Sequence, residues 1–278
     1  MQNWQEAVRV ALAEQDASRF AALDVRQVAS IDSTNSELMR QGRAGHTQPQ
    51  ILWALSQSAG RGRMGREWLS AAPSVQAQPQ GLYFSIGLML APQDWAGLSL
   101  AMGLAAAQTL HPSVGVKWPN DLCLSLGAAY SKLGGILIET AAPPQTPESA
   151  ARWVVIGLGL NLRQAPQNAD LRTPAADIAS ALPLDAAENL LVDAGLLCAR
   201  LSVAMVQAAL RFEQRGFAGF AADYQVRDVL YGLPIHTSAG ASGIARGVDQ
   251  QGNYQIQMPS GELLCINSAE ISLRPGAL

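Results

Sequence analysis

Three apolar stretches of strand length most constrain what this chain can fold into: LYFSIGLML (82–90), KLGGILIE (132–139) and WVVIGLGLNL (153–162). The first sets Leu82, Phe84, Ile86, Leu88 and Leu90 on one face, the two-residue period of a strand. The third is apolar almost throughout, as a strand buried on both faces is. The last two carry interior glycines, Gly134, Gly135, Gly157 and Gly159. A glycine weakens a strand and is tolerated where a ligand or another backbone comes close. The core must therefore be a sheet, and its glycines leave room against it for a tightly packed helix or for something flat. Asn161 would offer an amide at the strand end.

The elements around these stretches are mixed. Residues 4–14 read as a short helix with Ala7, Val8, Ala11 and Leu12 on one stripe. Residues 25–31 and 51–57 read as strands. Between them Thr34, with Glu37 three residues on, reads as a capping box opening a helix that Gly42 and Gly45 end. An Ala-rich helix is expected over 95–110, and two strands flank the turn Pro119-Asn120-Asp121. Segments 71–81 and 141–150 read as loops. A long amphipathic helix over 186–214, broken near Gly195, precedes a shorter one at 217–225. From about 229 five short strands follow in 50 residues, the texture of a small β-barrel. The predicted layout is a helical extension (1–27), a mixed α+β domain (28–228) and a small all-β domain (229–278).

Composition excludes several classes. With 278 residues, 49% hydrophobic and 15% charged, the chain is globular and long enough for a sizeable core. A net charge of −3 argues against a dedicated nucleic-acid binder. Cys123, Cys198 and Cys265 lie far apart with no clustered histidines, so no zinc site is expected, and an odd count without a signal-like N-terminus fits a reducing cytoplasm. The uncharged stretch 95–110 is short of a membrane span.

Of 19 basic residues only two, Lys117 and Lys132, are lysine. In a chain so biased to Arg, two retained Lys reflect either compositional drift or at least one place where a compact charge on a flexible stem does what Arg cannot. Lys117 stands beside Trp118 in VKWPND (116–121), where Asp121 could help hold Mg²⁺ or serve only the turn. Lys132 precedes Gly134-Gly135. The loop GRGRMGR (60–66) matches G-x-G-x-x-G, but no good helix follows it and no acidic residue lies near position 80, so a dinucleotide fold is rejected. Its glycines free backbone N–H groups to face an anion, and Arg61, Arg63 and Arg66 add charged donors. A phosphate or carboxylate cradle, a solvated loop and an Arg-Gly nucleic-acid patch are the readings it admits. There is no G-x-S-x-G and no evident His or paired-acid centre, which leaves chemistry by positioning and charge neutralisation.

Together, STN (33–35), Q-x-x-G-R-G-R-x-G-R-x-W (57–68), KWPND (117–121), KLGGILIE (132–139) and GLGLN (157–161) resemble the biotin–protein ligase family in order and spacing, from about Asp32 to Arg274. The resemblance implies a catalytic domain like those of the biotin–lipoate ligases and class II aminoacyl-tRNA synthetases, followed by an SH3-like barrel. It implies that biotin and MgATP give biotinyl-5′-AMP, whose acyl group passes to a lysine of a biotin carboxyl carrier protein. Ser33, Thr34, Asn35 and Gln57 would line the biotin ring pocket. Gly60, Arg61, Gly62 and Arg63 would order over biotin and its adenylate. Lys132 would bridge the biotin carboxylate and the α-phosphate, with Arg63 beside it as the second catalytic cation. Backbone groups at Gly135 and Ile136 would meet biotin. Trp68 would stack near the adenine, and Arg66, Lys117, Asn120 and Asn161 would surround the nucleotide, with Asp121 at Mg²⁺. Position 64 is Met where some relatives carry Arg. The short segment before Asp32 leaves no room for a DNA-binding module, so no DNA partner is expected; relatives pair through sheet edges, so a homodimer is compatible with the family. Lipoate or octanoate ligation and a non-catalytic biotin-binding regulator are the competing functions.

Overall fold

The computed structural model describes residues 3–69, 78–126, 129–142, 150–166, 173–267 and 273–275. The loops expected at 71–81 and 141–150 fall largely outside them. A seven-stranded sheet is built from β1 (Asp24–Ile31), β2 (Gln50–Gln57), β3 (Gly81–Leu90), β4 (Val114–Lys117), β5 (Asp121–Leu126), β6 (Ala129–Ala141) and β7 (Arg152–Asn161). Their order is β1-β2-β3-β7-β6-β5-β4, with β1 and β2 parallel and every other pair antiparallel.

The two faces of this sheet are used differently. One carries the main core: Leu82, Phe84, Ile86, Leu88, Ile156, Leu158 and Leu160 pack under α1 (Trp4–Ala13), α3 (Leu98–Leu110) and α6 (Ala194–Arg215). The other carries α2 (Thr34–Arg43), whose Leu38 and Met39 close on Leu52, Trp153 and Val155. Helix α1 belongs to the main core, since Trp4, Val8 and Leu12 are buried and Trp4 meets Trp53 edge-on at 5.4 Å. Helix α6 is apolar and long enough to cross a membrane by length and composition, but here Leu197, Leu201, Met205 and Phe212 bury it as the central core helix.

Two local expectations are corrected, and a third, the helix break near Gly195, is seen at Val192–Asp193. The α2 cap is Ser33, whose hydroxyl accepts from the Ser36 N–H; Thr34 is already inside the helix, and its hydroxyl is committed to Gln57. The expected helix 95–110 begins only at Leu98, because Gly97 at φ 81° turns the chain. The long C-terminal helix breaks before Gly195. After the single-turn α4 (Ile178–Ala181), helix α5 (Leu184–Leu191) ends, and Asp193 caps α6 by accepting from the N–H groups of Gly195 and Leu196.

After α7 (Ala221–Arg227) the five expected short strands form one antiparallel sheet: β8 (Pro234–Thr237), β9 (Ser242–Val248), β10 (Tyr254–Gln257), β11 (Leu263–Ile266) and β12 (Leu273–Pro275), in the order β11-β10-β9-β8-β12. It is seated on the larger part through polar and aromatic contacts. The Trp118 indole donates to the Gly252 carbonyl at 3.2 Å, and its ring lies 5.7 Å from that of Tyr254. The turn at Gly252 rests so closely on Gly97 that a Cβ there would lie 2.8 Å from the Gly97 Cα.

The Tyr254 hydroxyl donates to the buried Asp228 carboxylate at 2.8 Å, and the Leu230 N–H donates to it at 3.0 Å. Burial outweighs both bonds and pushes the Asp228 carboxyl up to about 6. In the unfolded chain the group titrates at its ordinary 3.8. Between those values the folded protein holds a proton that the unfolded chain has released, so rising pH weakens the fold, by about 3 kcal/mol across the window. The unfolding midpoint of the wild type should therefore fall relative to that of Asp228→Asn as pH rises from about 4 to 6.5, and then run parallel to it. Parallel midpoints throughout, read by differential scanning calorimetry, would remove Asp228 from this role.

Candidate active site

The site lies on the α2 face, where the sheet has almost no side chains. Strand register sets Gly135 opposite Gly159, and Gly157 between Leu137 and Ser85. The trough is filled from above. A Cβ at Gly157 would collide with the Asn35 amide, and one at Gly159 would lie 2.6 Å from the Trp68 indole. Above Gly135 three groups converge: a Cβ there would be 3.5 Å from Trp68, 3.6 Å from Asp121 and 3.6 Å from Lys132. The close approach at these glycines is thus made by Asn35 of α2 and by the flat Trp68 ring, and not by the long helix, which packs on the opposite face.

The N-terminus of α2 supplies one wall. Ser33, Thr34 and Asn35 are all buried, so their polar atoms need partners. Gln57 Oε1 accepts from the Thr34 N–H at 2.8 Å and from its hydroxyl at 3.1 Å. The fully buried Ser85 hydroxyl lies 2.7 Å from Thr34 Oγ1 and 2.6 Å from Asn35 Oδ1. The Asn35 amide nitrogen donates to Glu139 at 3.1 Å and to the Leu137 carbonyl at 3.3 Å.

The Gly/Arg loop folds over this wall as a narrow hairpin. The Trp68 N–H donates to the Gly60 carbonyl at 2.9 Å, and the Gly62 N–H to the Arg66 carbonyl at 2.7 Å. Within it stands a single 3₁₀ turn at Arg63–Gly65. Arg61 forks onto Glu139, with Nη2 at 2.9 Å and Nη1 at 3.1 Å. Arg63 reaches Asn120 Oδ1 at 3.4 Å; burial lowers its pKa, and the nearby Asp121 charge opposes that shift. Met64, at the exposed tip, holds a left-handed φ of 57°. Gly60 does not line the cavity: its role is to let Trp68 close, since a Cβ there would sit 2.5 Å from the Trp68 carbonyl.

Lys132 reaches the cavity through an irregularity. It stands three positions before Gly135, and in a regular strand the two would point to opposite faces. The β5–β6 register shifts between Leu122 and Cys123, so that Leu133 is an extra residue and Lys132 turns to the Gly135 side. There its Nζ lies 2.6 Å from Asp121 Oδ1 and 5.5 Å from the Trp68 ring. Asp121, expected at a metal, is in this structure the partner of Lys132. The backbone of Lys132 is held by segment 173–177: its N–H donates to the Pro174 carbonyl at 2.7 Å, and its carbonyl accepts from the Ala176 N–H at 2.9 Å. The Asn161 amide donates to the Ala176 carbonyl at 3.1 Å and so anchors that same segment. Asn120 exchanges bonds with Ile136, giving from its amide at 2.8 Å and accepting from the Ile136 N–H at 2.9 Å, so that N–H is spent within the protein. Lys117 is buried, with Nζ 5.6 Å from the Tyr130 ring. Cys123 is buried behind Lys132, and desolvation pushes its thiol up to about 12, which leaves it inert.

All these walls bound one cavity of about 500 Å³. Ser33, Thr34, Asn35, Gln57, Arg61, Gly62 and Arg63 line one side, and Lys117, Asn120, Asp121 and Asn161 the other. Arg66, Trp68, Lys132, Gly135 and Ile136 complete it. Of the residues expected at the site only Gly60 stands off. Sequence reasoning assigned no role to Ser85 or Glu139, which hold the polar wall together. Ser85 alone carries a signal, as a polar residue inside an otherwise apolar strand. The arrangement is one cavity lined by neutral hydrogen-bonding groups and by cations from both the Gly/Arg hairpin and the β5–β6 edge, suited to bringing two anionic groups together.

Residues 28–161 match the family model described as the biotin/lipoate A/B protein ligase family. The biotin--[acetyl-CoA-carboxylase] ligase of Mycobacterium tuberculosis is 32% identical over 269 residues, covering 91% of this chain and 90% of that protein. The bifunctional ligase/repressor BirA of Escherichia coli is 31% identical over 281 residues, covering 97% of this chain and 80% of that one. Among solved structures, the biotin protein ligase from Aquifex aeolicus in complex with biotin and ATP shares the fold, with a TM-score of 0.68 at 22% identity over 91% of this chain and 99% of that chain. With similarity of this degree along nearly its whole length, and a site assembled from the segments that first pointed there, the chain belongs to the biotin protein ligase family of enzymes.

Proposed function

We propose that the enzyme joins biotin to ATP as biotinyl-5′-AMP, releasing pyrophosphate, and then passes the biotinyl group to a lysine of a biotin carboxyl carrier protein. The observation that carries this reading is Lys132. It stands paired with Asp121 at 2.6 Å in a cavity lined both by neutral hydrogen-bonding groups and by further cations and amides. The neutral wall of Ser33, Thr34, Asn35 and Gln57 suits the ureido ring of biotin, which donates and accepts but carries no charge. The other wall, with Lys117, Asn120 and Asn161, suits a nucleotide. The indole N–H of Trp68, unlike its backbone N–H, is buried and has no hydrogen-bond partner among the described residues, which leaves a donor for a ligand.

In the first step a carboxylate attacks a phosphate, and both are anions. Two unit charges 4 Å apart repel by about 4 kcal/mol at an effective dielectric near 20. Lys132 is placed to touch one oxygen of each group, a task for a compact charge with rotatable donors. Arg63 adds a second cation from the lid. The carboxylate oxygen bonds to the α-phosphorus as the bond to pyrophosphate breaks. In the second step a lysine amine of the acceptor displaces AMP from the acyl carbon. The described residues hold no group of three or more His, Cys, Asp or Glu, so the donor set, Asp121 with the Asn120 amide beside it, fits a Mg²⁺ ion carried chiefly by the nucleotide phosphates. When bound, such an ion neutralises phosphate charge. The hairpin 60–68 excludes water from the mixed anhydride.

Pyrophosphate exchange into ATP, with biotin, lipoate or octanoate as the only acid, tests the substrate. Exchange that requires biotin is expected; exchange with lipoate or octanoate alone moves the enzyme to the sister activity. Lys132→Ala should lower biotin-dependent exchange by at least about 100-fold, while the unfolding midpoint stays within a few degrees, because the side chain is partly exposed. Near-wild-type turnover of that variant would remove the bridging role. Arg63→Gly should release biotinyl-AMP roughly tenfold faster and label bystander lysines; labelling still confined to the carrier protein, seen by streptavidin blot, would count against lid closure.

A further inference from the structure

Glu139 ends the KLGGILIE stretch and lies outside the reacting centre, yet it joins two walls of the site. Its carboxylate takes the fork of Arg61 at 2.9 and 3.1 Å, and Oε2 also accepts from the Asn35 amide at 3.1 Å. The side chain is largely buried, and strand register sets Glu139 opposite Val155, two positions along β6 from Leu137, which faces Gly157. Arg61 is also the first residue of the hairpin arm, paired across it with Glu67 and within 3.4 Å of the Ser36 hydroxyl.

Two consequences follow from chemistry. A carboxylate only accepts hydrogen bonds, so it fixes the orientation of the Asn35 amide: nitrogen toward Glu139, oxygen toward the Ser85 hydroxyl at 2.6 Å. A bidentate carboxylate–guanidinium pair also fixes direction, which a single ammonium contact does not. We propose that Glu139 is a positioning residue with two tasks. It pins the root of the Gly/Arg hairpin to β6 before any ligand arrives, and it sets the polarity of the wall that meets the ring of the acid substrate. Closure over the adenylate then moves only the outer arm, residues 62–66, about a root already in place. The loop part of this inference stands on ligand-free geometry; the substrate part rests on the function proposed above.

The experiment compares wild type, Glu139→Gln, Glu139→Asp, Glu139→Ala, Arg61→Ala and the double variant Glu139→Ala/Arg61→Ala. Amide hydrogen exchange of residues 60–68 in ligand-free protein is expected to quicken roughly fivefold in Glu139→Gln, in the range a half-exposed ion pair supports. In biotin-dependent pyrophosphate exchange the same variant should raise KM for biotin about tenfold with kcat within threefold and KM for ATP unchanged; Glu139→Asp should recover part of the loss. The double variant should cost less than the product of the two single Ala changes. Unchanged hairpin exchange, an equal fall in kcat for both substrates, or strictly multiplicative single effects would overturn the assignment. A wild type that shows no biotin-dependent exchange would sink the proposed function, while the hairpin measurement would still decide whether Glu139 holds the loop.

Discussion

The structure depends on a stretch of sheet from which side chains are missing. Gly135, Gly157 and Gly159 fall side by side across β6 and β7, and each space is taken by a group from elsewhere: Asn35 from α2, Trp68 from the hairpin, and Asp121 with Lys132 from the β5–β6 edge. Glycine costs a strand about 0.5–1 kcal/mol relative to alanine, so three of them cannot be excused by the sheet itself. They are compensated because the opposite face carries an uninterrupted apolar core beneath α1, α3 and α6. One sheet thus divides its labour, with cohesion on one face and access on the other.

Charge is handled by the same separation. Four of the five cations that line the cavity already have a counterpart or a shield: Lys132 has Asp121, Arg61 has Glu139, Arg63 has the side-chain amide oxygen of Asn120, and Lys117 lies by the Tyr130 ring. A buried cation with no partner carries a desolvation cost of several kcal/mol, so these partners let the site stand ready before anionic ligands enter. The partners are also weak enough to exchange, because the pairs are partly open to water. On the function proposed above, Lys132 would leave Asp121 for substrate oxygens without disturbing its backbone, which is stitched separately to Pro174 and Ala176.

Much of this was legible in the residues. Alternation and apolar runs located the strands of both sheets, and the scarcity of lysine singled out Lys117 and Lys132 before any relative was considered. What stayed hidden has a common cause: it depends on register between distant segments. The extra residue at Leu133 turns Lys132 to the working face, and no local pattern announces a one-residue shift against β5. Ser85 and Glu139 matter only because they fall beside Thr34 and Asn35, about 50 and 104 positions away in sequence. The capping box was misplaced by one residue for a related reason. Thr34 had the right chemistry for a cap, but a long-range bond to Gln57 claimed its hydroxyl and left Ser33 to do the capping.

The seat of Trp118 on the Gly252 turn has an implication for how the enzyme is made. The two partners are 134 positions apart, and the later one belongs to the second sheet. A chain emerging from a ribosome at roughly 5–20 residues per second finishes the neutral wall and the Gly/Arg hairpin long before the turn that steadies Lys117–Asp121 exists. The wall of Ser33, Thr34, Asn35 and Gln57 is therefore synthesised early, and the contact that steadies Lys117, Asn120 and Asp121 waits for the turn between β9 and β10. A chain built in that order acquires the groups of its two walls, and the contact that steadies the second, at different times.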